Sequence, residues 1–234
     1  NDSVDRTPST NPDVCIIGAG PAGLLTAYTL AVENYNVVVL EAGARFDHES
    51  RLERMERSLR PDSPFTAVWD MGGPRDEFTS SGTTRYRLNR KRVKGVGGST
   101  LHWGARVARF PKKDFEMNTR YGLASDWPIS YDDLRPYYLA AEHEFGVAGA
   151  DDNPFAPPRD EPYPMEAFPP SYADSIFQTA CEKLGIQMHS VPNARNSEPY
   201  DSRSACLGYG TCSPVCPSRA QYSADVHAQK AVEN

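Results

Sequence analysis

The chain has 234 residues, room for one well-cored domain with attached segments. Its net charge of -6 speaks against nucleic acid or an anionic membrane surface as a partner, and no run of about 18 apolar residues offers a membrane span. A hydrophobic content of 39%, with 20 prolines and 17 glycines, predicts long irregular stretches of the kind that wrap a scaffold, a cofactor or a partner.

Residues 1–12 are polar, with neither an initiator Met nor a hydrophobic signal core, and read as a flexible end, either processed or trimmed. Residues 13–17 read as a buried strand, Pro21–Val32 as a helix opening after a glycine turn, and Val37–Leu40 as a second continuous apolar strand. This is a βαβ unit with a parallel sheet. From residue 43 to 89 the pattern is irregular and punctuated by proline. Six cations fall within residues 85–94, read first as a solvated edge strand whose charges oppose aggregation. Residues 130–147 read as a helix capped by Ser130, with Asp132 and Asp133 in its first turn. Residues 151–170 hold seven prolines and five acidic residues and read as a linker. A helix over 172–184, a strand over 186–191 and a final helix over 224–232 complete the chain.

Gly18, Gly20 and Gly23 stand where a dinucleotide turn needs glycine. Gly18 permits the tight turn, Gly20 lets the backbone approach a pyrophosphate, and Gly23 allows helix and strand to close up. Pro21 and Ala22 open the helix whose free N–H groups and positive dipole end face the phosphates. Glu41 ends the second strand, 23 residues after Gly18, where a carboxylate accepts from ribose hydroxyls. The long excursion after Ala42 and Gly43, in place of further alternating strands and helices, favours FAD over NAD. The loop Gly97-Gly98-Ser99-Thr100-Leu101-His102-Trp103 permits close approach to a flat or charged ligand. Ser99 and Thr100 there offer hydroxyl donors to phosphate or flavin oxygens.

Of the five cysteines, Cys15 and Cys181 read as buried small hydrophobes. Cys206, Cys212 and Cys216 follow the spacing C-x5-C-x3-C-P, with Gly208 and Gly210 giving their loop freedom to curl. Three thiolates so placed suit an iron–sulfur cluster, and three ligands suit a three-iron (3Fe-4S) form. A disulfide with one free thiol remains an alternative, as does zinc with His189 or His227 as fourth donor.

The stretches Gly18 to Gly23 and Glu41-Ala42-Gly43 resemble the start of a glucose–methanol–choline (GMC) oxidoreductase, an FAD family. The Gly-Gly-Ser-Thr loop resembles that family's second signature. The pattern from Trp127-Pro128-Ile129-Ser130 to Tyr137-Tyr138 is similar to its sugar and sugar-acid dehydrogenase branch. The cysteine spacing resembles the glucose, gluconate, fructose and sorbitol dehydrogenases, where such cysteines hold a three-iron, four-sulfur cluster.

The resemblance implies a Rossmann-like α/β FAD-binding fold of GMC type with long irregular excursions. Its expected division is residues 13–150 as the first part of the FAD domain, 151–200 as linker and start of a substrate cap, and 201–234 as cluster loop and start of a returning helix. It places His102 and Trp103 beside the flavin. The matching histidine is covalently bound to flavin in pyranose oxidase and unbonded in sugar dehydrogenases. A histidine satisfied by backbone in a packed loop is the plain alternative.

The implied reaction is oxidation of a CH–OH group of a sugar, sugar acid or polyol, with electrons leaving through the cluster to a haem protein such as a cytochrome c, or to quinone. Family members run to over twice this length. The catalytic residues, among them the pair that takes the substrate proton, are therefore expected in a C-terminal half or a partner chain, alongside a possible small subunit. A periplasmic or partner-tethered site is expected over a cytoplasmic one. The competing readings are a non-catalytic flavin and iron–sulfur electron-transfer subunit, and a pyranose-oxidase-like oxidase with a structural cysteine loop.

Overall fold

In the computed structural model the described residues are 11–63, 65–69, 71, 83 and 91–234. Residues 1–10 of the expected flexible end and 85–90 of the cationic run lie outside them. The contacts group the chain into two compact units, and these do not follow the expected linear division. One holds the residues up to Gly104 together with Gly208–Asn234, and the other is Ala105–Leu207.

In the first unit, β1 (Val14–Ile17) pairs in parallel with β2 (Val37–Leu40), from Val14 beside Val37 to Ile17 beside Leu40. The helix α1 (Pro21–Val32) makes the crossover and packs on both strands. β-branched side chains favour the extended strands, and Pro21 starts the helix where its missing N–H costs nothing. The outer side of this pair is open, with Ile17 87% and Leu40 53% exposed. Cys15, expected to be buried, is exposed as well. An apolar strand pattern records fitness for burial on both faces, but a face is buried only where another element covers it.

Two helices emerge from the stretch expected to be irregular, α2 (His48–Ser58) and the short α3 (Phe65–Val68). Asp47 caps α2 by accepting from the Ser50 amide at 2.8 Å. This helix escapes a hydropathy reading because its buried face is made of arginines. Arg51 is only 2% exposed and donates to Asp225 at 2.9 Å, while Arg54 stacks over the rings of Phe46 and Trp69. The core of the unit joins Val68, Trp69, Met71, Val93, Leu101 and Val215. The last helix of the chain, α7 (Asp225–Glu233), packs back on α1.

In the second unit a 3-10 turn, Lys112–Glu116, leads into α4 (Met117–Tyr121). Next comes α5 (Tyr131–Phe145), with the expected Ser130 cap completed by Asp133 as a reciprocal box. Gly146 ends α5 at a φ of 66°. The short strands β3 (Ala148–Gly149) and β4 (Met165–Glu166) pair in parallel, and α6 (Tyr172–Lys183) follows with its own Ser171–Asp174 box.

Cys181 on α6 is half-buried rather than buried. No strand forms over 186–191; Ile186, Met188 and Val191 are exposed. A strand needs a partner to take its backbone hydrogen bonds, and the pairing in this region falls instead on Asn193, which bridges Arg106 and Ala148.

A buried ion cluster holds this unit together. The Glu142 carboxylate accepts paired bonds from Arg109 at 2.8 and 2.7 Å and from Arg159 at 2.9 and 2.8 Å.

Candidate functional site

The glycine turn, Glu41 and the second glycine segment converge on Ala19, a residue that the fingerprint leaves unspecified. The Ala19 N–H donates to Glu41 Oε2 at 2.8 Å, and its carbonyl accepts from the Gly97 N–H at 2.8 Å. Glu41 Oε1 accepts from the Gly43 N–H at 2.8 Å. A carboxylate has about four lone-pair positions, so two amide donors leave room for the two hydroxyls of a ribose.

Gly18 takes a φ of 99°, a region that favours glycine, and its N–H donates to the Leu40 carbonyl at 2.7 Å, extending the ladder by one residue. A β-carbon on Gly23 would lie 2.1 Å from the Gly18 carbonyl oxygen, so this glycine answers to closure of the turn. A β-carbon on Gly20 would meet nothing within 4 Å; the backbone is bare where a ligand would approach. Pro21 and Ala22 occupy the first turn of α1, whose N-cap is Gly20 and carries no side-chain cap, leaving the first amides of the helix for an anion. Ala42 is exposed.

Gly97 and Gly98 have φ values of 108° and 55°, and a β-carbon on Gly98 would come within 3.0 Å of the Gly20 Cα. The two glycine segments, far apart in sequence, therefore lie against each other. Thr100 departs from the role expected of it. It is buried, its hydroxyl donates to the Gly97 carbonyl, and its oxygen accepts from the Ala224 N–H at 2.9 Å. Its one hydroxyl proton thus braces the loop instead of facing a ligand. Ser99 is half-buried, its oxygen 3.4 Å from the Val93 N–H.

His102 Nε2 lies 3.2 Å from the Lys91 carbonyl, and since a carbonyl only accepts, this nitrogen carries the proton. Burial holds the His102 pKa below the ordinary histidine value despite that bond, and the nearby Lys91 charge acts in the same direction as burial. The ring is therefore neutral at neutral pH. Trp103 donates from Nε1 to the Tyr222 carbonyl at 2.8 Å.

All five cysteines are free thiols. Cys212 and Cys216 flank the fully buried Val215, on a stretch that begins with Gly208 and Gly210, both at a φ of 74°. The Cys216 sulfur accepts from the Gln221 N–H at 3.5 Å. Cys206 lies one residue before the end of the second unit, its amide donating to the Asn196 carbonyl at 2.9 Å. Among the described residues, no group of three His, Cys, Asp or Glu side chains could hold a metal ion. The two histidines considered for zinc have other bonds: His227 Nδ1 with the Tyr222 hydroxyl at 2.9 Å, and His189 Nδ1 with the Ser190 carbonyl at 2.8 Å. No described helix is long and apolar enough to cross a membrane.

Comparison with known proteins agrees with the nucleotide site. The family described as FAD dependent oxidoreductase (DAO) matches residues 13–51, the span of the glycine turn and Glu41. The chain is 38% identical to the fructose dehydrogenase large subunit of Gluconobacter japonicus, over 94% of its own length and 43% of the relative's. It is 29% identical to the 6'''-hydroxyparomomycin C oxidase of Streptomyces lividus, over 89% of its length and 36% of the relative's. It is 24% identical to the gluconate 2-dehydrogenase flavoprotein of Pantoea cypripedii, over 80% and 36%. The chain thus spans less than half the length of these curated relatives. The fingerprint, the acid and the parallel strand pair all fall within residues 13–51, the part of the chain that matches the FAD dependent oxidoreductase domain.

Proposed function

We propose that this chain forms the nucleotide-binding part of an FAD site, of GMC type, in an enzyme that oxidises a CH–OH group of a sugar, sugar acid or polyol. The observation that carries the reading is the convergence of the two glycine segments and Glu41 on Ala19, with the Gly20 backbone left bare. Bound FAD would supply the two-electron acceptor. The first amides of α1 hold the pyrophosphate, Glu41 orients the ribose, and the Gly97–Gly98 backbone sets how closely the ligand can lie. His102 and Trp103 flank the flavin, with His102 neutral and hydrogen bonded to backbone. The group that takes the substrate proton is assigned to a segment or partner that completes the enzyme. The names of the fructose and gluconate relatives support a sugar or sugar acid as substrate.

Glu41→Gln tests the nucleotide role with less disturbance than Glu41→Ala, because it keeps an acceptor for one of the Ala19 and Gly43 amides where Ala would strip both. Loss of the charge is expected to cost about 1.5–3 kcal/mol of FAD binding, tenfold or more in Kd, read by fluorescence titration. An unchanged Kd would remove Glu41 from the site. At His102 the flavin is expected to be non-covalent, so that acid precipitation leaves the colour in the supernatant; a yellow pellet would assign a covalent bond there.

We further assign Cys206, Cys212 and Cys216 as ligands of an iron–sulfur cluster, on their spacing, their free thiols and the amide donor at Cys216. Such a cluster is a one-electron carrier and suits a haem or quinone acceptor, with a small subunit and a cytochrome c as the expected partners. Iron content and paramagnetic resonance of the purified protein, beside Cys212→Ser, are the test. Iron lost in the variant with FAD retained supports the assignment. Iron absent from the parent protein, with peroxide formed on turnover, would favour an oxidase, as the paromomycin-related relative is named, with the cysteine loop here structural.

A further inference from the structure

The stretch from Ser213 to Ala224 is tied to the loop 98–103 at several points. Val215 packs in one core with Leu101. The Ser213 hydroxyl donates to the His102 carbonyl at 3.2 Å. Trp103 Nε1 donates to the Tyr222 carbonyl at 2.8 Å, and the Ala224 N–H donates to Thr100 Oγ1 at 2.9 Å. Gln221 lies at the centre of this seam and is 4% exposed. Its side-chain Nε2 donates to the Trp103 carbonyl, and its backbone N–H donates to the Cys216 sulfur at 3.5 Å. One residue therefore touches both the sulfur of a cysteine and the backbone beside His102. From Gln221, Tyr222 and Ala224 the Gln221 amide reaches this loop as a side-chain hydrogen bond, Tyr222 and Ala224 hydrogen bond to it through backbone atoms, and the Tyr222 ring packs edge-on against Trp103.

We propose that Gln221 is a positioning residue that clamps the flavin-side loop 98–103 to the cysteine loop 212–216, so that a change in the state of Cys216 is felt at His102 and Trp103. The proposal rests on the FAD reading above for its functional consequence, but not for the clamp itself. The physical basis is the burial of the amide. Gln221 is buried, so its loss leaves the half-buried Trp103 carbonyl without that hydrogen bond and loosens the loop. The Cys216 sulfur and the Trp103 carbonyl meet the same residue through two bonds a few atoms apart, so neither loop can shift without straining the other's tie.

Gln221→Met removes the donor and keeps the length and bulk of the side chain. In the FAD-free protein, amide exchange of peptides covering 98–104 and 212–218 is expected to speed up together, while peptides of α1 remain unchanged. In the FAD-loaded protein, Kd should rise roughly fivefold to tenfold, and the visible circular dichroism of the bound flavin should change shape. A residue that only fills space would lower Tm without altering that flavin spectrum. Exchange confined to one of the two segments, or an unchanged flavin spectrum with Kd within about twofold of the parent, would overturn the proposal. If Gln221→Met folds poorly, Ser213→Ala removes a more exposed tie to the same loop and is read in the same way at smaller amplitude. Failure of the parent protein to bind FAD would sink the functional reading alone, because the exchange experiment needs no flavin.

Discussion

Gly20→Ala is expected to leave the fold intact and to abolish tight FAD binding, whereas Gly23→Ala is expected to damage the fold itself. Gly20 has a φ of -83°, open to any residue, and its added β-carbon would meet nothing within 4 Å. Its whole effect therefore falls on a ligand that must approach that bare backbone. A pyrophosphate pushed away from the α1 amides loses charge-assisted bonds of about 1.5–3 kcal/mol each, so a loss of 100-fold or more in FAD affinity is a fair expectation. Gly23 would place its β-carbon 2.1 Å from the Gly18 carbonyl oxygen and 3.2 Å from Ile16 Cγ2. Backbone must move to admit it, at about 3 kcal/mol, the upper part of the usual overpacking range. For a chain of this size that is a fall in Tm of roughly 6–12 °C. Thermal melts of the FAD-free variants beside FAD titrations separate the two glycines. Equal destabilisation by both substitutions would refute the distinction.

The largest stability effect is expected in the second unit, at Glu142. It is 4% exposed and shared by two guanidinium groups, Arg109 and Arg159, through four bonds of 2.7–2.9 Å. Glu142→Ala would leave those cations buried without their counter-charge, at a cost of about 3–5 kcal/mol. Urea unfolding followed by a probe in this unit, such as Trp127, reads the loss. Burial by itself pushes the Glu142 carboxyl pKa up, but the bonds and charges of Arg109 and Arg159 outweigh it and hold the value below the ordinary one. A carboxyl whose pKa is lower in the folded state stabilises the fold above its unfolded value of about 4.3 and loses that contribution as pH falls through its folded value. Acid unfolding of this unit should therefore weaken in pH dependence in Glu142→Gln. An unchanged acid profile would show that the cluster does not govern it.

Much of the nucleotide site was legible in the sequence because each part of it has a local cause. A tight turn needs a glycine such as Gly18, a parallel pair needs apolar runs, and an acid at the end of the second strand stands beside the turn by the geometry of the crossover. The capped helices were legible for the same reason: Ser130 with Asp133 satisfies backbone donors three residues away. The helix α2 was not legible, because arginines on its inner face defeat a hydropathy pattern and become sensible only when Asp225 and the rings of Phe46 and Trp69 are in place.

Residues 186–191 show the converse. Their apolar pattern suits a strand, but a strand exists only if another strand pairs with it, and the pairing here goes to Asn193. By itself the sequence determined the βαβ turn and the acid at Glu41, since those follow from backbone sterics and spacing along the chain. Only the tertiary structure decided that Ala19 joins Glu41 to Gly97, that Thr100 braces the loop and α7 instead of facing a ligand, and that Gln221 connects Cys216 with Trp103. These contacts link residues 22 to 124 positions apart, apart from the Gln221–Cys216 bond, which spans five. Local periodicity carries no record of such pairings, because they are selected by packing and by the need of buried polar groups for partners.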